Sequence, residues 1–255
     1  MIADLLPSST ALMLPLLLAS AIVGFLIGAV GVGGILLIPV LVAIAGLTPH
    51  QASATALFTF LFTGILGTLL FQRRGSIDWR QALAVCVGAI FFSYLGAMAS
   101  TKVGDVTLMR VIAALIMFAG VYVFLPGKVG QPTANNDGRL PLLILIGAIS
   151  GFGSGFSGAG GPLFSVPLMV VTGFAPLLAV GTSQVLQIVS AAAGSLANLH
   201  YGDIQWPLVM TITAGELVGV FAGVKLAHAV SAITLKRGTG LICLGVGTWM
   251  LLHAR

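Results

Sequence analysis

Long apolar runs separated by short polar turns set the pattern of the chain from residue 11 to residue 252. A membrane-spanning helix needs about 20 predominantly apolar residues. That yardstick divides the sequence into eight hydrophobic blocks, four in each half. Residues 51–72, 80–100 and 107–125 read as conventional spans, as do 175–198, 207–227 and 233–252. The first block of each half, 11–45 and 140–172, is too long for one straight helix and is interrupted by glycines. Past the first interruption only Ile35 to Ala45 remains apolar. At about 1.5 Å per residue such a segment covers about half of the hydrocarbon core. The pattern predicts an all-α polytopic membrane protein whose halves each begin with a glycine-broken or re-entrant helix.

The two breaks resemble each other in sequence. Gly28 to Pro39, GAVGVGGILLIP, returns as Gly155 to Pro167, GFSGAGGPLFSVP. A shift of 127 places Gly28 on Gly155, Gly31 on Gly158, Gly33 on Gly160 and Gly34 on Gly161, with the prolines one position out of step. The register continues through Gly46 and Gly173, Pro49 and Pro176, Thr55 and Thr182, Gly67 and Gly194, and the triplets Gly75, Ile77, Trp79 and Gly202, Ile204, Trp206. Self-similarity at one period over most of a chain is the signature of a duplicated unit. The expected organisation is repeat 1 over 1–125, a polar linker over 126–139 and repeat 2 over 140–255.

Charge decides how the halves are oriented. Lys and Arg favour the cytoplasmic side of a membrane protein. Parallel repeats would split the basic residues six against five. An inverted second repeat gathers Arg73, Arg74, Arg80, Lys128, Arg139, Lys225, Lys236 and Arg237 on one side and leaves Lys102, Arg110 and Arg255 on the other. Eight against three favours inversion. It requires an odd number of crossings per half, which a broken first block can supply. The loop of Arg73 and Arg74 is then cytoplasmic and the loop near His200 external. Composition agrees with the membrane reading: 58% hydrophobic, 7% charged and a mean hydropathy of +1.13 leave too little polar surface for a water-soluble globule. The net charge of +5 comes from scattered single Lys and Arg, so nucleic acid is not expected as a partner. The opening MIADLLPSST lacks a positive n-region and a small-residue cleavage site and is expected to be retained.

Candidate chemistry follows from where polar groups interrupt the apolar runs. Irregular backbone at membrane depth is tolerated where protein or a water-filled cavity satisfies its amides and carbonyls. The breaks at Gly31, Gly33, Gly34 and at Gly158, Gly160, Gly161 are therefore candidate binding elements, each with a short-helix N-terminus suited to an anion. The alternative is that these glycines serve only close helix packing. Thr55, Thr182, Ser183, Gln184 and Gln187, one loop after each break, offer hydroxyls and amides that donate to an oxyanion; interhelical hydrogen bonding is the competing role. Glu216 stands about 13 Å into the seventh block at helical rise, the one acid well inside an apolar segment. It is the candidate for carrying a coupling proton, against a hydrogen-bonded structural acid. Arg110 and Arg237 occupy equivalent positions and are either anion contacts or interfacial snorkelling side chains. Cys86 and Cys243 read as buried small hydrophobes, and the four histidines lie at block ends without metal-ligand spacing. No metal and no organic cofactor is expected.

The duplicated GAVGVGGILLIP and GFSGAGGPLFSVP, the segments LTPHQASAT and APLLAVGTS after them, and the turns GSIDW and GDIQW resemble the sulfite exporter TauE/SafE family of membrane transport proteins. The resemblance runs from about Gly24 to Trp249. It implies a multi-pass transporter of the bacterial cytoplasmic membrane for small sulfur oxyanions or organosulfonates. It also implies that the glycine breaks with Thr55, Thr182 and Ser183 form the pocket. The expected partners are a small anion and the lipid bilayer, with a homo-oligomer left open. An intramembrane enzyme would need a nucleophile with a base, for which only Glu216 and scattered Ser and Thr are present. A membrane scaffold would need polar partner-binding regions that this chain scarcely has.

Overall fold

A computed structural model describes residues 10–31, 33–124, 140–229 and 232–253. It is built of α1 (Thr10–Val30), a 3-10 turn (Gly33–Leu36), α2 (Leu37–Ala45), α3 (Pro49–Gln72), α4 (Trp79–Ser100), α5 (Asp105–Phe124), α6 (Leu140–Ser157), α7 (Pro162–Val171), α8 (Pro176–Tyr201), α9 (Trp206–Ala227) and α10 (Ala232–His253). Among the described residues six helices are long and apolar enough to cross a membrane: α1 from Leu12, α3, α4, α6, α8 and α9. The linker 126–139 lies outside the described residues.

Local chemistry sets the helix boundaries. Thr48 caps α3 in a reciprocal box: its hydroxyl accepts from Gln51 N at 3.3 Å, and Gln51 Oε1 accepts from Thr48 N at 3.2 Å. Asp78 caps α4 by accepting from Arg80 N at 3.0 Å and Gln81 N at 3.2 Å. Pro49, Pro162, Pro176 and Pro207 sit in the first turns of α3, α7, α8 and α9, where a missing amide proton costs nothing. Gly46, in the left-handed region at φ 66°, stops α2.

The long helices pair across the two halves. Helix α1 packs on α9, α4 on α6, α3 on α8 and α5 on α10. Glycines let the backbones touch. A methyl on Gly215 would stand 2.6 Å from Leu17 O, and methyls on Gly219 and Gly223 would overlap the carbonyls of Ala21 and Phe25. These steps advance together along both chains, so α1 and α9 run parallel. Gly88 on Ile144 and Gly96 on Phe152 give the same result for α4 and α6. The contacts recur at the 127-residue shift with the halves exchanged: Gly88 on Ile144 answers Gly215 on Leu17, Gly96 on Phe152 answers Gly223 on Phe25, and Gly120 on Leu244 answers Gly247 on Met117.

Helices α3 and α8, equated by that shift, run antiparallel. At one end of the bundle Gln51 Nε2 in the first turn of α3 donates to Asp203 Oδ2, just past α8, at 2.7 Å. At the opposite end Ser76, just past α3, lies against Gly181 near the start of α8. Arg74 Nη1 there donates to Val224 O near the end of α9 at 2.8 Å. Arg73, Arg74, Arg80 and Lys225 thus share one end of the bundle. Lys102 stands at the other, where α4 ends and α5 begins, and Arg110 follows in the first turns of α5. Trp79 and Trp206 open α4 and α9 at these opposite ends, both partly exposed. Cys86 and Cys243 are free and buried.

Single cysteines at Arg73 and His200, probed with a membrane-impermeant maleimide on sealed vesicles of known sidedness, are expected to react from opposite faces. Labelling of both from one face would contradict the antiparallel course of α3 and α8.

Candidate functional site

The two broken helices carry the irregular backbone into the interior of the bundle. In the first half the chain leaves α1 at Val30, turns at Gly31 (φ 80°) and winds through the 3-10 turn into α2. In the second it leaves α6 at Ser157, turns at Gly158 (φ 69°) and Gly160 (φ 80°) and enters α7 at Pro162. These three positive φ values lie where an L side chain is strained, which is why glycine occupies them.

The breaks meet. A methyl on Gly34 would stand 2.8 Å from Ala159 O and 3.1 Å from Phe60 Cζ, and one on Gly160 would stand 3.2 Å from Phe60 Cδ2. Phe60, fully buried, is therefore the wedge between them. It lies roughly 16 Å along α3 at helical rise, about midway through that helix. On α8 the position equivalent to Phe60 is Gln187, and the two touch: Gln187 Nε2 donates to Phe60 O at 3.2 Å and to Thr63 Oγ1 at 2.7 Å. A methyl on Gly161 would stand 3.0 Å from Leu186 Cγ and 3.5 Å from Ser190 Oγ.

The other expected site residues take different places. Gln184 Nε2 donates to Ile27 O at 3.3 Å, a carbonyl of the last turn of α1 that also accepts from Gly31 N at 3.0 Å. Gly67 lies directly against the Gln184 amide and Gly194 against Leu57, so both make room for side chains at the α3 and α8 crossing. Ser183 Oγ bonds Ser165 Oγ of α7 at 2.7 Å. Thr55 Oγ1 accepts from Gln205 N at 3.0 Å and ties the loop before α9 to α3. Thr182 is fully buried, and its hydroxyl has no protein partner. Arg110 is exposed near the start of α5. Arg237 falls on α10, and its side chain lies outside the described residues.

Glu216 is fully buried on α9, and neither carboxylate oxygen has a hydrogen-bond partner. Its backbone lies directly beneath Gly24 of α1, and Thr59 of α3 is near enough for its hydroxyl to interact with the carboxyl. Glu216 therefore lies where α9 packs against α1 and α3, the helix that also carries Phe60. Further buried hydroxyls without a protein partner are Ser150, Ser154, Ser190, Ser195 and Thr213, all in the second half, and Thr68 in the first. Buried polar groups are ordinarily bonded. These hydroxyls fall mainly on α6, α8 and α9.

A family model for the sulfite exporter TauE/SafE matches residues 16–250. The chain belongs to this family. Relatives of this TauE/SafE chain align with it over nearly their whole length. A probable membrane transporter protein of Xylella fastidiosa is 25% identical, with 91% of this chain and 92% of that one covered. A probable membrane transporter protein of Bacillus subtilis is 23% identical, covering 87% and 93%. One from Methanocaldococcus jannaschii is 24% identical, covering 94% and 96%. No solved structure matches the chain. It is accordingly a multi-pass membrane protein of a transporter family.

Sequence reasoning missed a second polar feature of this TauE/SafE chain. A cavity of about 360 Å³ opens at the bundle end where α3 starts and α4 and α8 finish, lined by Thr48, Gln51, Ser53, Asn198, Tyr201 and Asp203 among others. Beside it His50 Nδ1 meets Asp105 Oδ1 at 2.6 Å, and His50 Nε2 meets Ser100 O at 3.0 Å. The signal was the Thr-Pro-His-Gln start of α3, a capping box whose Gln51 amide is left free to reach across to Asp203. Among the described residues no group of three or more His, Cys, Asp or Glu side chains could hold a metal ion.

Gly158 and Gly46 separate strain from contact, because both have positive φ while only Gly158 has a neighbour, Ser53, within reach of a methyl. Gly46→Ala is expected to cost about 1–2 kcal/mol of left-handed strain. Gly158→Ala adds an overlap with backbone and is expected to lower the melting temperature clearly further in detergent. Equal losses would show that Gly158 is not closely packed.

Proposed function

We propose that this chain is a secondary transporter of a small sulfur-containing anion, of the sulfite or organosulfonate class, working by alternating access in a bacterial cytoplasmic membrane. The observation that carries the reading is the meeting of the two breaks around Phe60, with Gly34 against the Ala159 carbonyl. Each break starts a short helix, so two helix N-termini, with their positive dipole ends, are brought together where the breaks meet. That arrangement supplies countercharge to an oxyanion without a buried cation. Gln187, Ser190 and the Ser165–Ser183 pair stand around the second break as polar lining. Sulfur oxyanions fit because each offers several acceptor oxygens and no donor is required of it. The family description, sulfite exporter, supports the same class.

In this reading Glu216 carries the coupling proton. It is buried, without a hydrogen-bond partner and on the helix packed against α1 and α3, and a carboxyl so placed can exchange a proton as the surrounding helices admit or exclude water. The end bearing Arg73, Arg74, Arg80 and Lys225 faces the cytoplasm, following the positive-inside bias.

Proteoliposomes carrying the purified chain are expected to show saturable uptake or release of sulfite or of one member of a sulfonate panel. No flux of any of these anions would overturn the substrate class. Glu216→Gln keeps size and hydrogen bonding but cannot exchange a proton. It is expected to abolish or strongly slow flux driven by a pH gradient while calorimetric binding of the transported anion persists. Normal gradient-driven flux in that variant would make Glu216 a structural acid.

A further inference from the structure

The cavity at the Asp203 end has two walls, and each is fastened to α3 by different chemistry. One wall is the end of α8 with the loop after it, from Asn198 to Asp203. Gln51 Nε2 donates to Asp203 Oδ2 at 2.7 Å, Thr55 Oγ1 accepts from Gln205 N at 3.0 Å, and Ile204 packs with Ala54. None of these groups is of a type that ordinarily changes charge between about pH 5 and 8. The other wall is the end of α4 and the turn after it, Ser100 and Thr101, and it is joined to α3 through His50, the second residue of that helix. Nδ1 of the ring lies 2.6 Å from Asp105 Oδ1 at the start of α5, and Nε2 lies 3.0 Å from Ser100 O.

His50 therefore faces two acceptors. A carbonyl oxygen only accepts, and so does an ionised carboxylate. A neutral imidazole has one N–H, so it serves one of them and turns a lone pair on the other; the imidazolium serves both. The ring at the opposite end of the bundle is placed differently. His228 Nδ1 donates to Val224 O at 2.9 Å, and its Nε2 lies 3.2 Å from Ser76 Oγ, a hydroxyl that can give or take the proton. A neutral ring satisfies that pair. The His50 and Asp105 side chains are 27% and 52% exposed, so water reaches them and the ring can exchange its proton. The other charged or titratable groups around it are Asp203, held by Gln51, and Tyr201 across the cavity, with Lys102 in the turn and Arg110 further along α5, both exposed.

We infer that His50 is a pH-sensitive clasp that holds the turn between α4 and α5 against α3 and so sets the width of the 360 Å³ cavity. In the protonated form one ring joins α3, α4 and α5. As the pH rises and the ring loses its second proton, one of the two bonds is lost and the turn comes away from α3. Helix α5 packs chiefly on α10 and only lightly on α3, so this end of it has little else to hold it. The wall formed by the end of α8 keeps its place, because its fastenings do not titrate in that range. The cavity also reaches Ser53, which lies directly against Gly158, so the change occurs next to the second break. The clasp operates whatever the chain transports.

Spin labels on Gly104→Cys, where a side chain enters open space, and on His200→Cys, exposed at the end of α8, report the distance across the cavity by double electron–electron resonance. The full chain, with Cys86→Ala and Cys243→Ala, is measured in lipid nanodiscs at about pH 5 and about pH 8, the range over which histidine changes charge. A narrow, short distance is expected at the lower pH. At the higher pH the ratio of longer to shorter distances should rise about tenfold, which is what one hydrogen bond to a charged group is worth. Asp105→Asn should keep the short distance at both, because its carboxamide can donate to a neutral Nδ1 while Nε2 still donates to Ser100 O. His50→Ala should show the longer distances at both, and His228→Asn should respond to pH as the parent does. An unchanged distance in the parent overturns the proposal. So does an Asp105→Asn variant that follows the parent, since another group would then be titrating, and so does a His50→Ala variant that keeps the short distance. These distances are read without substrate, so failure of the sulfur-anion reading and failure of the clasp are distinguishable.

Discussion

Everything in this structure depends on keeping non-helical backbone inside an apolar bundle. A break in a helix frees amides and carbonyls, and hydrocarbon offers them no partner. The chain meets this requirement by placing its two breaks against each other and surrounding them with α3 and α8. Gln184 reaches back to the last turn of α1, Phe60 fills the space between the breaks, and Gln187 ties that wedge to α8. Glycine makes the arrangement physically available, because the turn residues need positive φ and the neighbouring backbones leave no room for a side chain.

The two halves use the same backbone plan with different chemistry. Where the first half has Leu57 and Phe60 at the helix crossing, the second has Gln184 and Gln187. Where the first half has Ala89 under its partner glycine, Gly151, the second has Glu216 under Gly24. The buried hydroxyls without a protein partner fall mostly in the second half, on α6, α8 and α9.

Much of this was legible in the sequence, and the parts that were not share a cause. The blocks, the half-length segments after the glycines and the charge bias all follow from local composition, and the helices fall within a few residues of them. The partners of those helices do not. That α1 would lie on α9 is decided by Gly24, Gly28, Gly215, Gly219 and Gly223 meeting one another's backbones, and hydropathy carries no record of which glycine faces which. Gln184 was read as a ligand donor because its amide needs partners; its partner is a carbonyl far away in sequence. Gly67 and Gly194, matched in the register, each accommodate a particular side chain of the facing helix, Gln184 and Leu57. His50, read from the sequence as a block-end histidine, lies at a bundle end, but its pairing with Asp105 joins two helices that no periodicity relates.

The cross-pairing of helices bears on how the chain is made. Helix α1 leaves the ribosome early, yet the surface it must cover belongs to α9, which begins at Trp206. At 5–20 residues per second that wait is roughly 10–35 s. Throughout it the notched glycine face of α1, at Gly24 and Gly28, lacks its final neighbour. The same holds in smaller measure for α4 before α6 appears. During synthesis the first half is therefore an incomplete membrane protein whose unfilled grooves face lipid, and its final shape is reached only when the second half threads into the bilayer beside it.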